Sequence, residues 1–145
     1  MYKKILIGFD GSECALKAFK VALNMAASLK TELFVIAVVP SIIYTAYTPD
    51  IPIAGLESFT NGLENEYKKS IQKLKEEAGN QNIMLNSYIV EGHPVDKIVE
   101  YSEQIKADLV IIGSRGLSGI ERLFLGSISD GVVHHSKIDV LIVKK

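Results

Sequence analysis

Glycines and hydroxyl side chains between residues 113 and 129 form a pattern that could bind an anion. Gly113 and Gly116 are followed, after nine intervening residues, by Gly126 and Ser127. Glycine has no Cβ, so the backbone N–H groups of such a loop can approach an anion closely. A helix expected to begin at Ser127 would add unpaired N–H groups and a partial positive charge. The spacing fits a phosphate cradle, and it fits equally well a loop whose glycines only permit tight turns.

Four side chains near this pattern could contact a nucleotide. Arg115 would bring a full positive charge to the loop, and Ser127 and Ser129 would add hydroxyl donors. Asp10 follows the first apolar run of the chain. Its carboxylate could accept hydrogen bonds from ribose hydroxyls or an adenine amine, but it would repel phosphates. Taken alone, Asp10 is more simply interpreted as a turn or capping residue.

Motifs of other nucleotide-binding and catalytic sites are missing from the sequence. Neither the P-loop pattern G-x-x-x-x-G-K-[ST] nor G-x-G-x-x-G occurs. The run Gly116-Leu117-Ser118-Gly119-Ile120 lacks the final glycine of a nucleophile elbow. Asp130 and His134 lie four residues apart, and without further ligands we expect a surface or capping role for them. We therefore predict no catalytic and no metal-ligating residue, and because the loop contains no lysine, fast phosphoryl transfer would lack one of its usual groups.

The composition fits a single folded domain spanning residues 1–145. Hydrophobic residues make up 48% of the chain, which excludes a disordered protein, and a net charge of -1 lacks the basic field that nucleic acid requires. The lone cysteine, Cys14, fits a reducing compartment. The longest apolar run, Leu33–Val39, is too short to cross a bilayer. We expect a cytoplasmic protein with neither nucleic-acid nor membrane partners.

Short apolar runs alternate with helical patterns along the chain. The runs have the length of strands and are apolar on both faces, as in a parallel sheet covered by helices; they are Ile5–Phe9, Leu33–Val39, Leu109–Ile112 and Val140–Val143. Residues 83–89 alternate instead, which is typical of a strand nearer an edge. Apolar stripes with helical spacing cover Ala15–Ala26, Phe59–Ala78 and Val95–Ile105, and a short helix should follow Ser127.

This β-α alternation predicts an open α/β fold with a parallel sheet and helices on both faces. Ligands of such sheets bind at the carboxyl ends of the strands, where the strand order reverses. If the first and fourth strands are neighbours, residues 8–12 face the glycine-rich loop across a crevice. The long irregular stretch from Pro40 to about Leu56 fits a lid, an interface segment or a variable surface loop.

The ordered motifs of the whole chain resemble the universal stress protein family, and specifically its ATP-binding branch. The most specific match is G-x-x-G, nine residues and G-[ST], at Gly113, Gly116, Gly126 and Ser127. The opening Lys3–Ser12, the run Glu91–Pro94, the run Ala107–Gly113 and the closing Val140–Val143 also resemble that family. One departure is Gly131 inside the short fourth helix, at an expected cost of about 0.5–1 kcal/mol relative to alanine.

The resemblance implies a five-stranded sheet of order 3-2-1-4-5, Rossmann-like and adenine nucleotide alpha hydrolase-like. It places adenine and ribose near Asp10 and Val38, and the phosphates, with Mg²⁺ or Mn²⁺, over the glycine-rich loop. It also implies a homodimer in which the strand Asp139–Val143 pairs with its counterpart. The complete set of residues predicted to bind the cofactor is Gly8, Phe9, Asp10, Val38, Ile112, Gly113, Arg115, Gly116, Gly126, Ser127, Ile128 and Ser129.

The resulting hypothesis is a cytoplasmic homodimer that binds ATP, or another adenine nucleotide, as a regulatory module of the stress response. A second hypothesis is a slow ATPase or self-phosphorylating protein with Ser127 or Ser129 as acceptor. A third is a dimerisation module that binds no nucleotide, against which the intact glycine spacing argues.

Overall fold

The computed structural model describes residues 1–41, 53–116 and 125–145. Five strands and four helices alternate in the described residues, as the sequence predicts. In chain order they are β1 (Lys4–Gly8), α1 (Glu13–Leu29), β2 (Glu32–Val39), α2 (Ile53–Gly79), β3 (Leu85–Glu91), α3 (Pro94–Gln104), β4 (Leu109–Gly113), α4 (Ser127–His135) and β5 (Asp139–Val143).

The five strands form one parallel sheet of order β3-β2-β1-β4-β5, which confirms the predicted topology. The central strand β1 pairs with β2 on one side and β4 on the other, and Ile7 lies opposite both Val35 and Ile111. The strand order therefore reverses between β1 and β4, as a cleft at their carboxyl ends requires. Strand β3, where apolar and polar residues alternate, lies at one edge of the sheet, as predicted, and β5 lies at the other.

Apolar side chains fill both faces of the sheet. Ile5 and Ile7 point to the face covered by α1 and α2, whereas Leu6 points to the face covered by α3 and α4. All three are fully buried. This double burial explains why the central strands are continuous apolar runs rather than alternating ones.

Helix α2 begins at Ile53, three residues before the predicted end of the irregular stretch near Leu56; residues 42–52 lie outside the described residues. We also predicted that Phe59 would share the buried stripe of this helix, but its ring is 60% exposed. The helix has 27 residues and the strand β2 beneath it has 8, lengths of roughly 40 Å and 26 Å. The helix is thus too long to lie wholly over the sheet.

Gly131 of α4 lies against α3. A Cβ at this position would stand 2.8 Å from Cγ2 of Val95 and 3.2 Å from its Cγ1. Both α3 and α4 cover the same face of the sheet, so the missing side chain lets the two helices approach closely. This contact gives a physical reason for a glycine inside a short helix.

Replacing Gly131 by alanine is therefore expected to destabilise the protein, although alanine is the better helix former. We expect the free energy of unfolding to fall by about 1–3 kcal/mol because the methyl group overpacks the helix contact. Gly62→Ala is the matched control, since a Cβ there meets nothing within 4 Å. That change should raise stability by about 0.5–1 kcal/mol. Urea unfolding measures both, and equal gains in the two variants would contradict the packing argument.

None of the helices in the described part of the chain is long and apolar enough to span a membrane.

Candidate functional site

A cavity of about 340 Å³ lies at the carboxyl ends of β1, β2 and β4. It occupies the crevice between the β1–α1 turn and the segments on either side of residues 117–124, which themselves lie outside the described residues. The two segments meet closely, because a Cβ on Gly116 would stand 2.7 Å from Oδ2 of Asp10. The predicted opposition of these two loops is therefore present.

All twelve residues predicted to bind the cofactor line this one cavity. They come from four separate parts of the chain, and the sheet topology alone brings them together. The β1 end contributes Gly8, Phe9 and Asp10, β2 contributes Val38, the β4 end contributes Ile112, Gly113, Arg115 and Gly116, and the start of α4 contributes Gly126, Ser127, Ile128 and Ser129.

Asp10 serves as the turn residue that its simpler interpretation predicts. Its Oδ1 accepts a hydrogen bond from the N–H of Ser12 at 2.9 Å, around Gly11, whose positive φ of 81° favours glycine. Ser12 in turn caps α1, since its Oγ accepts from the N–H of Ala15 at 3.2 Å. The turn thereby fixes the Asp10 carboxyl beside the cavity, with Oδ2 on the side of Gly116.

Gly113 and Gly126, like Gly116, allow the backbone to pack tightly around the cavity. A Cβ on Gly113 would lie 2.6 Å from the Cβ of Cys14, and one on Gly126 would lie 3.1 Å from the carbonyl oxygen of Ser114. Gly126 N–H donates to that same Ser114 oxygen at 2.8 Å. The glycines therefore have a packing role, and this role is compatible with a cradle because all three also line the cavity.

The start of α4 presents backbone donors to the cavity. Gly126 is the N-cap and offers no side chain to the helix, and the N–H of Asp130 donates to the Gly126 carbonyl at 2.9 Å. The bond to Asp130 is the first one within the helix. The helix therefore supplies no acceptor for the N–H groups of the three residues before it, Ser127, Ile128 and Ser129. All three residues line the cavity, which makes this end of α4 its electropositive wall.

The hydroxyl of Ser129 faces the loop rather than the cavity. The side chain is buried, and Oγ lies 2.9 Å from the carbonyl oxygen of Gly126 and 3.1 Å from that of Ser114. Since one hydroxyl proton serves these acceptors, the side chain braces the loop. The sequence suggested hydroxyl donors at both serines, but only the exposed Ser127 offers one to a ligand.

Charged side chains are few among the described residues that line the cavity: Asp10 is the only carboxylate and Arg115 the only cation. The backbone carbonyl of Arg115 accepts from the Ser12 hydroxyl at 3.4 Å, which ties the two loops together. No group of three or more His, Cys, Asp or Glu side chains that could hold a metal ion occurs in the described parts of the chain. The arrangement can bind an anion at one end and a neutral polar group at the other.

Sequence reasoning missed the wall that α2 contributes. Phe59, Leu63 and Tyr67, spaced four residues apart, line the cavity from above the end of β2. In the sequence this spacing predicts only an apolar stripe on a helix, because such a stripe does not show where a helix extends beyond its sheet. Ser12, Ala15, Ile36, Pro40, Pro94 and Ile98 also line the cavity.

Tyr67 is the polar member of that wall. Burial, followed by the negative charges of Asp10 and Glu66, raises the pKa of Tyr67 to about 12. The phenol is therefore neutral at physiological pH and can act as a hydrogen-bond donor.

Comparison with known proteins yields one family and several close folds. The model of the universal stress protein family matches residues 1–144. The universal stress protein MJ0531 of Methanocaldococcus jannaschii is 35% identical over 152 residues, covering 100% of this chain and 84% of that protein. Among solved structures, the hypothetical protein MJ0577 has a TM-score of 0.87 at 28% identity, covering 100% of this chain and 97% of that one. A universal stress protein in complex with cAMP has a TM-score of 0.63 at 29% identity, with coverages of 98% and 96%.

Proposed function

Because this chain belongs to the universal stress protein family, we propose that its cleft binds an adenine nucleotide, with ATP as the favoured ligand, and that binding serves regulation during stress. The observation that carries the proposal is the convergence of the N-terminal N–H groups of α4 with the close-packed glycines, opposite Asp10, in one cavity. A solved relative that binds cAMP adds support from outside the chain.

Charge sets the direction in which the nucleotide lies. The phosphates fit over Gly126 and the start of α4, where backbone donors and the helix dipole favour an anion. Asp10 would repel phosphates and therefore faces the uncharged ribose or base. Apolar side chains such as Val38 and Phe9 line the remaining wall, as a base requires. The volume of about 340 Å³ lies within the usual range for small-molecule pockets.

A divalent ion, Mg²⁺ or Mn²⁺, is part of the proposal as a companion of the phosphates. No set of carboxylates converges in the described residues to hold such an ion without the nucleotide. We therefore expect metal binding to require bound ATP, with phosphate oxygens as the main ligands. Titration of Mn²⁺ into nucleotide-free protein should give no saturable signal.

We propose binding without fast phosphoryl transfer. Fast transfer needs groups that orient a nucleophile and neutralise developing charge, and the described cavity residues offer one cation, Arg115, and no lysine or histidine. In the alternative of slow self-phosphorylation, Ser127 is the acceptor that the geometry favours, because the Ser129 hydroxyl is buried and hydrogen-bonded to the loop. Phosphate release above that of a Gly126→Val control would favour the alternative.

A cytoplasmic homodimer is also a proposal. The lone cysteine supports the location, and β5 supports the dimer because it is an edge strand with Leu141 37% exposed. Pairing of two such edges would remove an exposed template for aggregation. Light scattering should give twice the mass of one chain, whereas a monomer at all concentrations would contradict the dimer.

The test of the proposed function is the identity of the small molecule that purifies with the protein. Denatured protein should release an adenine nucleotide, identified by its absorbance and by chromatography against ATP, ADP, AMP and cAMP. Protein that carries no nucleotide, and takes up none from a mixture of these four at millimolar concentration, would favour the non-binding dimerisation module.

A further inference from the structure

Tyr67 is a polar group of the cleft that the proposed function leaves without a role. Its side chain is only 6% exposed, and it lines the cavity from α2. The hydroxyl makes no hydrogen bond with any of the described residues. Since no fully buried side-chain oxygen or nitrogen in the described parts of the chain lacks a partner, this hydroxyl cannot be sealed inside the core. The hydroxyl therefore keeps some exposed surface, and the cavity is the opening that this residue lines.

The surroundings of the hydroxyl favour a ligand group that both donates and accepts hydrogen bonds. Asp10 lies close enough for its charge to raise the pKa of Tyr67, and Asp10 is the only carboxylate among the described cavity residues. Its Oδ1 accepts from Ser12, while Oδ2 lies toward Gly116. A carboxylate and a neutral phenol that line the same cavity present one acceptor and one donor. An alcohol is the simplest group that satisfies both.

The position of this pair along the cleft narrows the ligand group further. The electropositive end is formed by Ser127, Ile128 and Ser129, and the apolar end includes Val38 and Leu63. Asp10 repels phosphate, and a base would fill the apolar end. The hydroxyl groups of a nucleotide lie on the sugar, between these two parts.

We propose that Tyr67 is a specificity-determining residue that, together with Asp10, recognises a ribose hydroxyl of the bound nucleotide. The ligand hydroxyl donates to the Asp10 carboxylate and accepts from the Tyr67 phenol. The inference rests on the proposed function, because it concerns the sugar of the same ligand. A deoxyribose that lacks this hydroxyl leaves the phenol and the carboxylate without their hydrogen-bond partner. The Tyr67 side chain is only 6% exposed, so losing this partner disfavours binding.

A role of Tyr67 in packing alone is the competing explanation. Its ring belongs to the core cluster that includes Ile71 and Phe9, and phenylalanine would preserve those contacts. The change Tyr67→Phe therefore removes the hydroxyl and little else. Tyr101→Phe is the matched control, because Tyr101 lies on α3, packs against Tyr88 at a ring distance of 4.9 Å, and does not line the cavity.

The experiment is calorimetric titration of the wild type and both variants with ATP, 2′-deoxy-ATP and 3′-deoxy-ATP. In the wild type, one deoxynucleotide should bind at least about fivefold more weakly than ATP. Tyr67→Phe should lower the affinity for ATP by roughly five- to tenfold, which corresponds to the loss of one net hydrogen bond. The same variant should change the affinity for that deoxynucleotide less than twofold, and Tyr101→Phe should change none of the three.

Two results would overturn the inference while leaving the proposed function intact. One is an equal loss of affinity for all three nucleotides in Tyr67→Phe, which would show that the phenol contacts the base or the phosphates. The other is an unchanged affinity for ATP in that variant, which would leave packing as the only role. If the wild type binds none of the three, the proposed function itself fails, and the inference fails with it.

Discussion

Replacing Gly116 by valine is expected to weaken ATP binding by at least about 100-fold, or roughly 2.8 kcal/mol. A Cβ at this position would stand 2.7 Å from Oδ2 of Asp10, so the added side chain must displace either the carboxylate or the loop. Both movements disturb the groups proposed to bind the nucleotide. Calorimetric titration with ATP measures the loss directly.

Gly62→Val is the control for this change. It adds the same side chain on the exposed surface of α2, where a Cβ meets nothing within 4 Å, and it should bind ATP as the wild type does. Circular dichroism of both variants checks that the sheet and helices remain. A folded Gly116→Val protein whose affinity for ATP lies within threefold of the wild type would show that no ligand lies beside this loop.

Replacing Ser127 by proline is expected to weaken ATP binding by about 10- to 100-fold, or roughly 1.4–2.8 kcal/mol, while leaving α4 folded. Ser127 is the first residue of α4, where a proline is well tolerated. The preceding Gly126 already has the extended backbone, with φ −62° and ψ 156°, that a following proline favours. The change therefore removes one backbone N–H and one hydroxyl from the electropositive end of the cleft at little structural cost.

Ser127→Ala separates the contributions of the backbone and the hydroxyl. It removes only the hydroxyl, so a cradle made mainly of backbone predicts a loss of at most about threefold in this variant. If Ser127→Ala loses as much affinity as Ser127→Pro, the hydroxyl rather than the backbone holds the phosphates. If neither variant loses affinity, the start of α4 does not contact the ligand.

The sequence predicts the strands and helices well because strong local patterns specify them. Apolar runs such as Leu33–Val39 are too short for buried helices and apolar on both faces, which indicates central parallel strands. Asp10, just after β1, and Gly113, at the end of β4, then lie at the same edge of the sheet because these strands are parallel neighbours. The strand predictions depend on residues close to one another in the chain, whereas the strand order 3-2-1-4-5 is implied by the family resemblance and not by a local pattern.

The missed features depend on contacts between distant segments. Phe59 and Tyr67 share one helical stripe, yet Phe59 is 60% exposed and Tyr67 only 6%, because α2 is longer than the strand it covers. Gly131 is unfavourable by helix propensity alone and becomes intelligible only beside Val95. The hydroxyl of Ser129 looks available in the sequence, but it bonds loop carbonyls once Ser114 is folded beside it. No local pattern encodes these distances.

The glycine-rich loop shows why sequence alone leaves two interpretations open. Its glycines allow close backbone packing, as Gly113 and Gly126 demonstrate, and packing of this kind needs no ligand. What favours a binding site is the surrounding geometry: the start of α4, the turn at Asp10 and the α2 wall enclose one cavity. The proposed function therefore depends on the cavity as a whole rather than on the motif.

The most direct test of nucleotide binding is calorimetric titration of ATP with Mg²⁺ into wild-type protein stripped of any nucleotide that purifies with it. We predict a saturable signal with one ATP per chain and a dissociation constant below about 1 mM, equivalent to a binding free energy of about −4 kcal/mol or stronger. Gly116→Val protein measured in parallel should bind ATP at least about 100-fold more weakly. The absence of saturable binding by the wild type at several millimolar ATP would contradict the account.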